Sequence, residues 1–80
     1  MKINVLFFGI TTDLIGASQL EIDFEEHISI ADFKSILKNT YPKLENINSY
    51  AIAVNEEYAT DDLILNKGDV VAVIPPVSGG

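Results

Sequence analysis

Only one stretch of this chain repeats its apolar residues at helical spacing over roughly three turns, and that limits the fold more than any other feature. It is SIADFKSILKNTYP, residues 29–42. Ile30, Phe33, Ile36, Leu37 and Tyr41 share one face. Ser29 is placed to cap the first turn, and Asp32 stands three residues on, where a capping box prefers Glu or Gln. Pro42 stops the helix, because the residue before a proline avoids helical geometry. A lone amphipathic helix covers one face of one sheet, so the rest of the chain must supply that sheet.

The remaining apolar runs do read as strands. KINVLFF, residues 2–8, alternates, with Ile3, Val5 and Phe7 facing the core and Lys2, Asn4, Leu6 and Phe8 facing away. Gly9 breaks that run, and TTDLIG is expected to form one helical turn capped by a threonine and ended by Gly16. QLEIDFE, residues 19–25, turns Leu20, Ile22 and Phe24 inward and Glu21, Asp23 and Glu25 outward. AIAV, residues 51–54, sets Ile52 and Val54 inward and Ala51 and Ala53 outward. A brief extended piece is expected around Leu63–Leu65, followed by a tight turn at Lys67-Gly68-Asp69. VVAVI, residues 70–74, is apolar on both faces and suits a central strand. The fold class is two-layer α+β: one mixed sheet with one main helix packed on one face.

Residues 1–74 then form the domain, and PPVSGG, residues 75–80, forms an extended tail ending in Gly79-Gly80. Pro75 and Pro76 fix their φ angles and hold the chain extended straight after the last strand. Six residues at about 3.3 Å each reach roughly 20 Å. Glycines without Cβ atoms let the end of such an arm thread a narrow channel. A tethered carboxylate delivered into another protein's active site fits this pattern. The sheet face away from the helix points the same way. Leu6, Phe8, Ala51, Ala53, Ala72 and Ile74 lie there, Tyr58 is placed to join them, and contiguous exposed apolar surface marks partner sites. The alternative is that the loop 58–69 folds over this face.

Charge and composition exclude other classes. At 48% hydrophobic and 21% charged residues, the 80-residue chain has the balance of a globular domain and not of a disordered one. Twelve acidic residues against five lysines leave a net charge of −7, which repels nucleic-acid phosphates and favours a basic partner. Without cysteine there is no thiolate nucleophile or thiolate metal site, and the single His27 is too little for zinc, so no metal is expected. No apolar run is long enough to span a membrane, and a cytoplasmic protein is expected. A carboxylate is inert toward nucleophiles until activated. The chain lacks a glycine-rich phosphate loop, so no cofactor is expected to bind, and ATP would be used by a separate activating enzyme.

KINVLFFG, TTDLIGA, AVNEEYA and LNKGDVVAVIPPVSGG together resemble the small subunits of molybdopterin synthase, the MoaD-type sulfur carriers, along essentially the whole chain. VNEE at 54–57, GDVVAVIPPVSGG at 68–80 and VLFFG at 5–9 are the most specific parts. The resemblance implies a ubiquitin-like β-grasp fold. It implies that Gly80 is adenylated by a ubiquitin-activating-type adenylyltransferase and then converted to a thiocarboxylate by a sulfur donor enzyme, with Gly79 its required neighbour. It implies docking on the synthase large subunit in a heterotetramer, with Phe8, Tyr58 and Ile74 as apolar contacts and Pro75, Pro76, Val77 and Ser78 entering the partner. There the sulfur would pass to cyclic pyranopterin monophosphate to form the dithiolene of molybdopterin. The sulfur carrier of thiamine thiazole synthesis, a ubiquitin-like protein modifier and a plain interaction module stay open as alternatives.

Overall fold

A computed structural model describes residues 1–46 and 50–76, without the side chains of residues 45 and 46. The elements are β1 (Lys2–Phe7), α1 (Ile10–Ile15), β2 (Gln19–Asp23), α2 (Ile30–Thr40), a 3₁₀ turn (Pro42–Asn46), β3 (Ala51–Val54), β4 (Glu57–Tyr58) and β5 (Val70–Ile74). The strands form one sheet in the order β2-β1-β5-β3-β4. β1 runs parallel to β5, and every other pairing is antiparallel. With α2 on one face, this mixed sheet is the ubiquitin-like β-grasp arrangement.

Period-two alternation sorts the strands as expected. Ile3, Val5, Phe7, Ile52, Val54, Val71 and Val73 are buried under α2, which contributes Ile30, Phe33 and Leu37. Phe33 meets Phe24 with ring centroids 5.2 Å apart in a tilted pair. Ser29 caps α2 by accepting from the Asp32 backbone N–H at 3.2 Å. The helix ends at Thr40, two residues ahead of Pro42.

Three expectations fail, each for a local reason. The cap of α1 is Gly9, not a threonine, because the helix starts before both threonines. Thr11 and Thr12 instead bond back to the end of β1. Thr11 Oγ1 accepts from the Phe8 N–H at 2.9 Å, and Thr12 Oγ1 donates to the Phe7 carbonyl at 3.1 Å. Ile36 sits at the margin of the α2 stripe and is exposed. Ala53 faces away from the helix as expected, and between β5 and β4 it is also buried. The fifth strand is Glu57–Tyr58 rather than 63–65, where a single bridge joins Ser29 to Ile64. Asn55 and Glu56 take left-handed φ angles of 51° and 71°, and the tight turn they make creates β4.

Candidate docking face and tail base

The strand that leads into the tail is the central strand of the sheet, paired on both flanks. β5 pairs with β1 on one side, Val5 opposite Val71 and Phe7 opposite Val73. On the other side it pairs with β3, Ile52 opposite Val73 and Ala51 opposite Ile74. Whatever follows Ile74 therefore leaves from a platform held on both flanks.

At its exit the tail meets Gly9. Pro75 is half-buried, and a Cβ on Gly9 would stand 3.0 Å from Pro75 Cγ, so the bare glycine, at φ 56°, leaves room for the proline ring. Pro76 is exposed. Val77, Ser78, Gly79 and Gly80 lie outside the described residues.

The register places the expected contact residues in rows on the face away from α2. Gln19, Leu6, Ala72, Ala53 and Tyr58 form one row across all five strands. One step nearer the tail, Ile74 stands opposite Ala51, and Phe8 follows β1 beside them. Phe8 is 48% exposed and Tyr58 77%, while Ile74 is half-buried. These side chains share a face, with Tyr58 on the edge strand and Phe8 and Ile74 at the tail end. Leu6, Phe8, Asn55, Glu56, Val70 and Ala72 line a shallow groove of about 450 Å³ between them.

Nothing among the described residues covers this face. The loop that follows β4 goes to the other side, where its carbonyls satisfy the start of α2: Ile30 N–H donates to the Leu63 carbonyl at 2.9 Å and Ala31 N–H to Asp61 at 3.0 Å. Leu65 is buried in the core and donates to the Ile28 carbonyl at 2.8 Å. The loop is thus committed to the helix N-terminus, which overturns the alternative that 58–69 folds over the apolar face. Within it, the Thr60 hydroxyl donates to Asp62 and holds that carboxyl below its ordinary value.

Sequence reasoning missed part of this surface. Ile10, 52% exposed, follows Gly9 at the tail end. Val70 has the same parity as Ala72 and Ile74, so alternation alone places it on the face. Asn55 and Glu56 reach the groove through the left-handed turn, which hydrophobic patterning does not report. No group of three or more His, Cys, Asp or Glu side chains able to hold a metal occurs among the described residues. No described helix is long and apolar enough to cross a membrane.

The model of the ThiS family matches residues 5–80. A molybdopterin synthase sulfur carrier subunit of Caenorhabditis elegans is 37% identical over 83 residues, covering 100% of this chain and 99% of the relative. The crystal structure of SAMP1 from Haloferax volcanii superposes with a TM-score of 0.86 over 100% of both chains at 22% identity, a likeness of fold alone. A protein–protein complex of subunits 1 and 2 of the molybdopterin-converting factor from Helicobacter pylori holds a chain that is 28% identical, with a TM-score of 0.70 over 100% of both chains.

Proposed function

This chain belongs to the ThiS family and to the molybdopterin synthase sulfur carrier subunits, and on that premise we propose that Gly80 carries sulfur as a thiocarboxylate. A separate adenylyltransferase of the ubiquitin-activating type would use ATP to join the Gly80 carboxylate to AMP, with pyrophosphate leaving. A sulfur donor enzyme would then displace AMP, so that the carboxyl carbon ends bonded to sulfur. Gly79 gives the carboxyl group an unhindered approach, since neither terminal residue has a Cβ.

The charged carrier would dock by its open face on the synthase large subunit, as small and large subunits associate in the Helicobacter pylori complex. Phe8, Tyr58 and Ile74 would supply apolar contact, and Pro75, Pro76, Val77 and Ser78 would lead Gly80 into the large subunit's active site. There the sulfur passes to cyclic pyranopterin monophosphate to form the dithiolene of molybdopterin, in a heterotetramer of two small and two large subunits. The chain holds no cofactor of its own in this scheme. It acts as the sulfur-donating subunit while the partner supplies the pocket.

The observation that carries this reading is the position of β5. The central strand of the sheet runs directly into Pro75-Pro76 beside an uncovered apolar face. Rigid base, stiff exit and docking surface are contiguous, which is what delivery of an acyl group into a second protein requires.

Incubation with ATP, the activating enzyme and a sulfur donor is expected to raise the mass by the exchange of one oxygen for one sulfur, located at Gly80 by fragmentation. Deletion of Gly79 and Gly80 should abolish the gain and leave the fold intact. A chain that stays uncharged while a control carrier is charged defeats the proposal. Co-purification with the pterin-binding large subunit separates this pathway from other sulfur carriers.

A further inference from the structure

The charge of this protein is not spread evenly along the sheet. Ten of its twelve carboxylates and three of its five lysines belong to the half away from Pro75. These carboxylates lie from the middle of β2 into the turn before α2, in the first turn of α2, around the Asn55–Glu56 hairpin and in the loop to β5. Among the described side chains, the half nearer the tail has Asp13 as its one carboxylate, with Lys38 and Lys43. The half away from the tail thus sets ten carboxylates against three lysines, a formal charge of −7.

The open face shows the same polarity. Its rows nearest the tail are Phe8 with Ile74 and Ala51, then Leu6 with Ala72, Ala53 and Tyr58. The next row sets Glu21 opposite Asn4, and the last sets Asp23 opposite Lys2. Glu56 borders the groove near Val70, which pairs with Asn4. Three local pairs soften the acidic end: Lys2 lies 3.7 Å from Glu21, the amino terminus 3.0 Å from Asp23 and Lys34 2.8 Å from Asp61. The three carboxylates are exposed, and the excess of carboxylates in that half outlasts the pairs.

We propose that this acidic end is an orientation key for docking. It rests on the reading of the open face as the surface that meets the synthase large subunit. That subunit would present an apolar patch at the mouth of the tail channel and a basic patch displaced from it along the carrier's strands. Glu21 lies about four residues from the Phe8 row and Asp23 about six, so the basic patch stands roughly 13–20 Å from the channel mouth. A carrier docked the wrong way round would place carboxylates against the apolar patch and Phe8 against the basic one, which complementary charge disfavours. The neutral end also keeps carboxylates away from the anionic phosphate groups that a tail-receiving active site must hold.

Association of the sulfur-charged carrier with the large subunit, followed by stopped flow across a range of salt, reads this directly. Binding of the wild type is measured first, and a wild type that does not bind overturns the proposed function itself. Given binding, Glu21→Lys combined with Glu56→Lys is expected to slow association about tenfold or more at low salt and to flatten its salt dependence. Asp13→Lys changes net charge at the other end and should alter association less than about twofold. Equal slowing by Asp13→Lys and either single reversal would mean that only net charge matters, and no slowing by the double reversal would mean that the end is inert. Each result overturns the key. Thermal melts of all variants exclude misfolding as the cause.

Discussion

Asn55 and Asp69 tie the β3–β4 hairpin to the start of β5. The Asn55 side-chain amide donates to Asp69 Oδ1 at 2.9 Å, and Asn55 Oδ1 accepts from the Val70 N–H at 3.0 Å. Asp69 Oδ2 accepts in turn from the Asn66 N–H at 2.8 Å. One short side chain thus fastens a left-handed turn to the strand that carries the tail. Asn also tolerates the φ of 51° better than most residues.

Replacing Asn55 by Ala removes its two side-chain bonds, to Asp69 and to Val70, and leaves a side chain unsuited to that φ. A loss of about 1–2 kcal/mol is expected, which lowers Tm by roughly 4–8 °C per kcal/mol in a domain of this size. Asn55→Gly restores the backbone freedom without the hydrogen bonds and should fall between wild type and Asn55→Ala. Thermal unfolding followed by circular dichroism ranks the three. An Asn55→Gly protein as unstable as Asn55→Ala would show that the φ contributes nothing.

The core makes a larger claim. Phe33 is fully buried against Phe24 and bridges α2 to the sheet. Phe33→Ala should cost about 3–5 kcal/mol through lost burial and the cavity left behind. Total stabilities of small domains start at about 5 kcal/mol, so the variant is expected to retain only about 0–2 kcal/mol and to show a measurable unfolded fraction. Ile36→Ala, three residues further along the same helix but exposed, should change stability by no more than about 0.5 kcal/mol. Urea titration of both variants decides whether the sequence stripe or the observed burial describes the helix.

Burial raises the pKa of Tyr50 above its ordinary 10.0, partly offset by the positive charge of Lys34. The folded state holds that proton more tightly than the unfolded chain does. The resulting stability is fully present below pH 10.0 and is lost as pH rises through the folded pKa. Tyr50→Phe should therefore flatten the fall in stability above pH 10.0. Denaturant midpoints at two alkaline pH values test this, and an unchanged slope in the variant would refute it.

How much of this was legible depended on the range of the cause. The faces of β1 and β5 follow from alternation, and both ends of α2 from Ser29 and Pro42, because each signal lies within a few residues of its effect. β4 was not legible: it exists because Asn55 and Glu56 enter left-handed geometry and are held there by Asp69, 14 residues away. The run 63–65 looked strand-like because it is apolar, but it spends its backbone groups on the start of α2 instead. Parity places Ala53 on the outward face, where the register has it, but does not report its burial between β4 and β5. On the candidate face, period two located Phe8 and Ile74, while the groove wall formed by Asn55 and Glu56 required the turn.

The open face yields the sharpest functional prediction, because stability and docking separate there. Phe8 leaves β1 with about half its surface exposed and Tyr58 lies on the edge strand, so neither holds the core together. Phe8→Ala and Tyr58→Ala should each shift stability by no more than about 0.5 kcal/mol. Large aromatic side chains at the centre of an interface commonly contribute 2 kcal/mol or more, so the Kd for the synthase large subunit should rise about thirtyfold for the stronger of the two. Phe8 sits in the row nearest the tail exit and should be that one. Calorimetric titration of each variant against the large subunit, paired with a thermal melt, gives both quantities. Unchanged binding in both variants would move the docking surface off this face, and a parallel loss of stability and binding would show that the aromatics act on the fold.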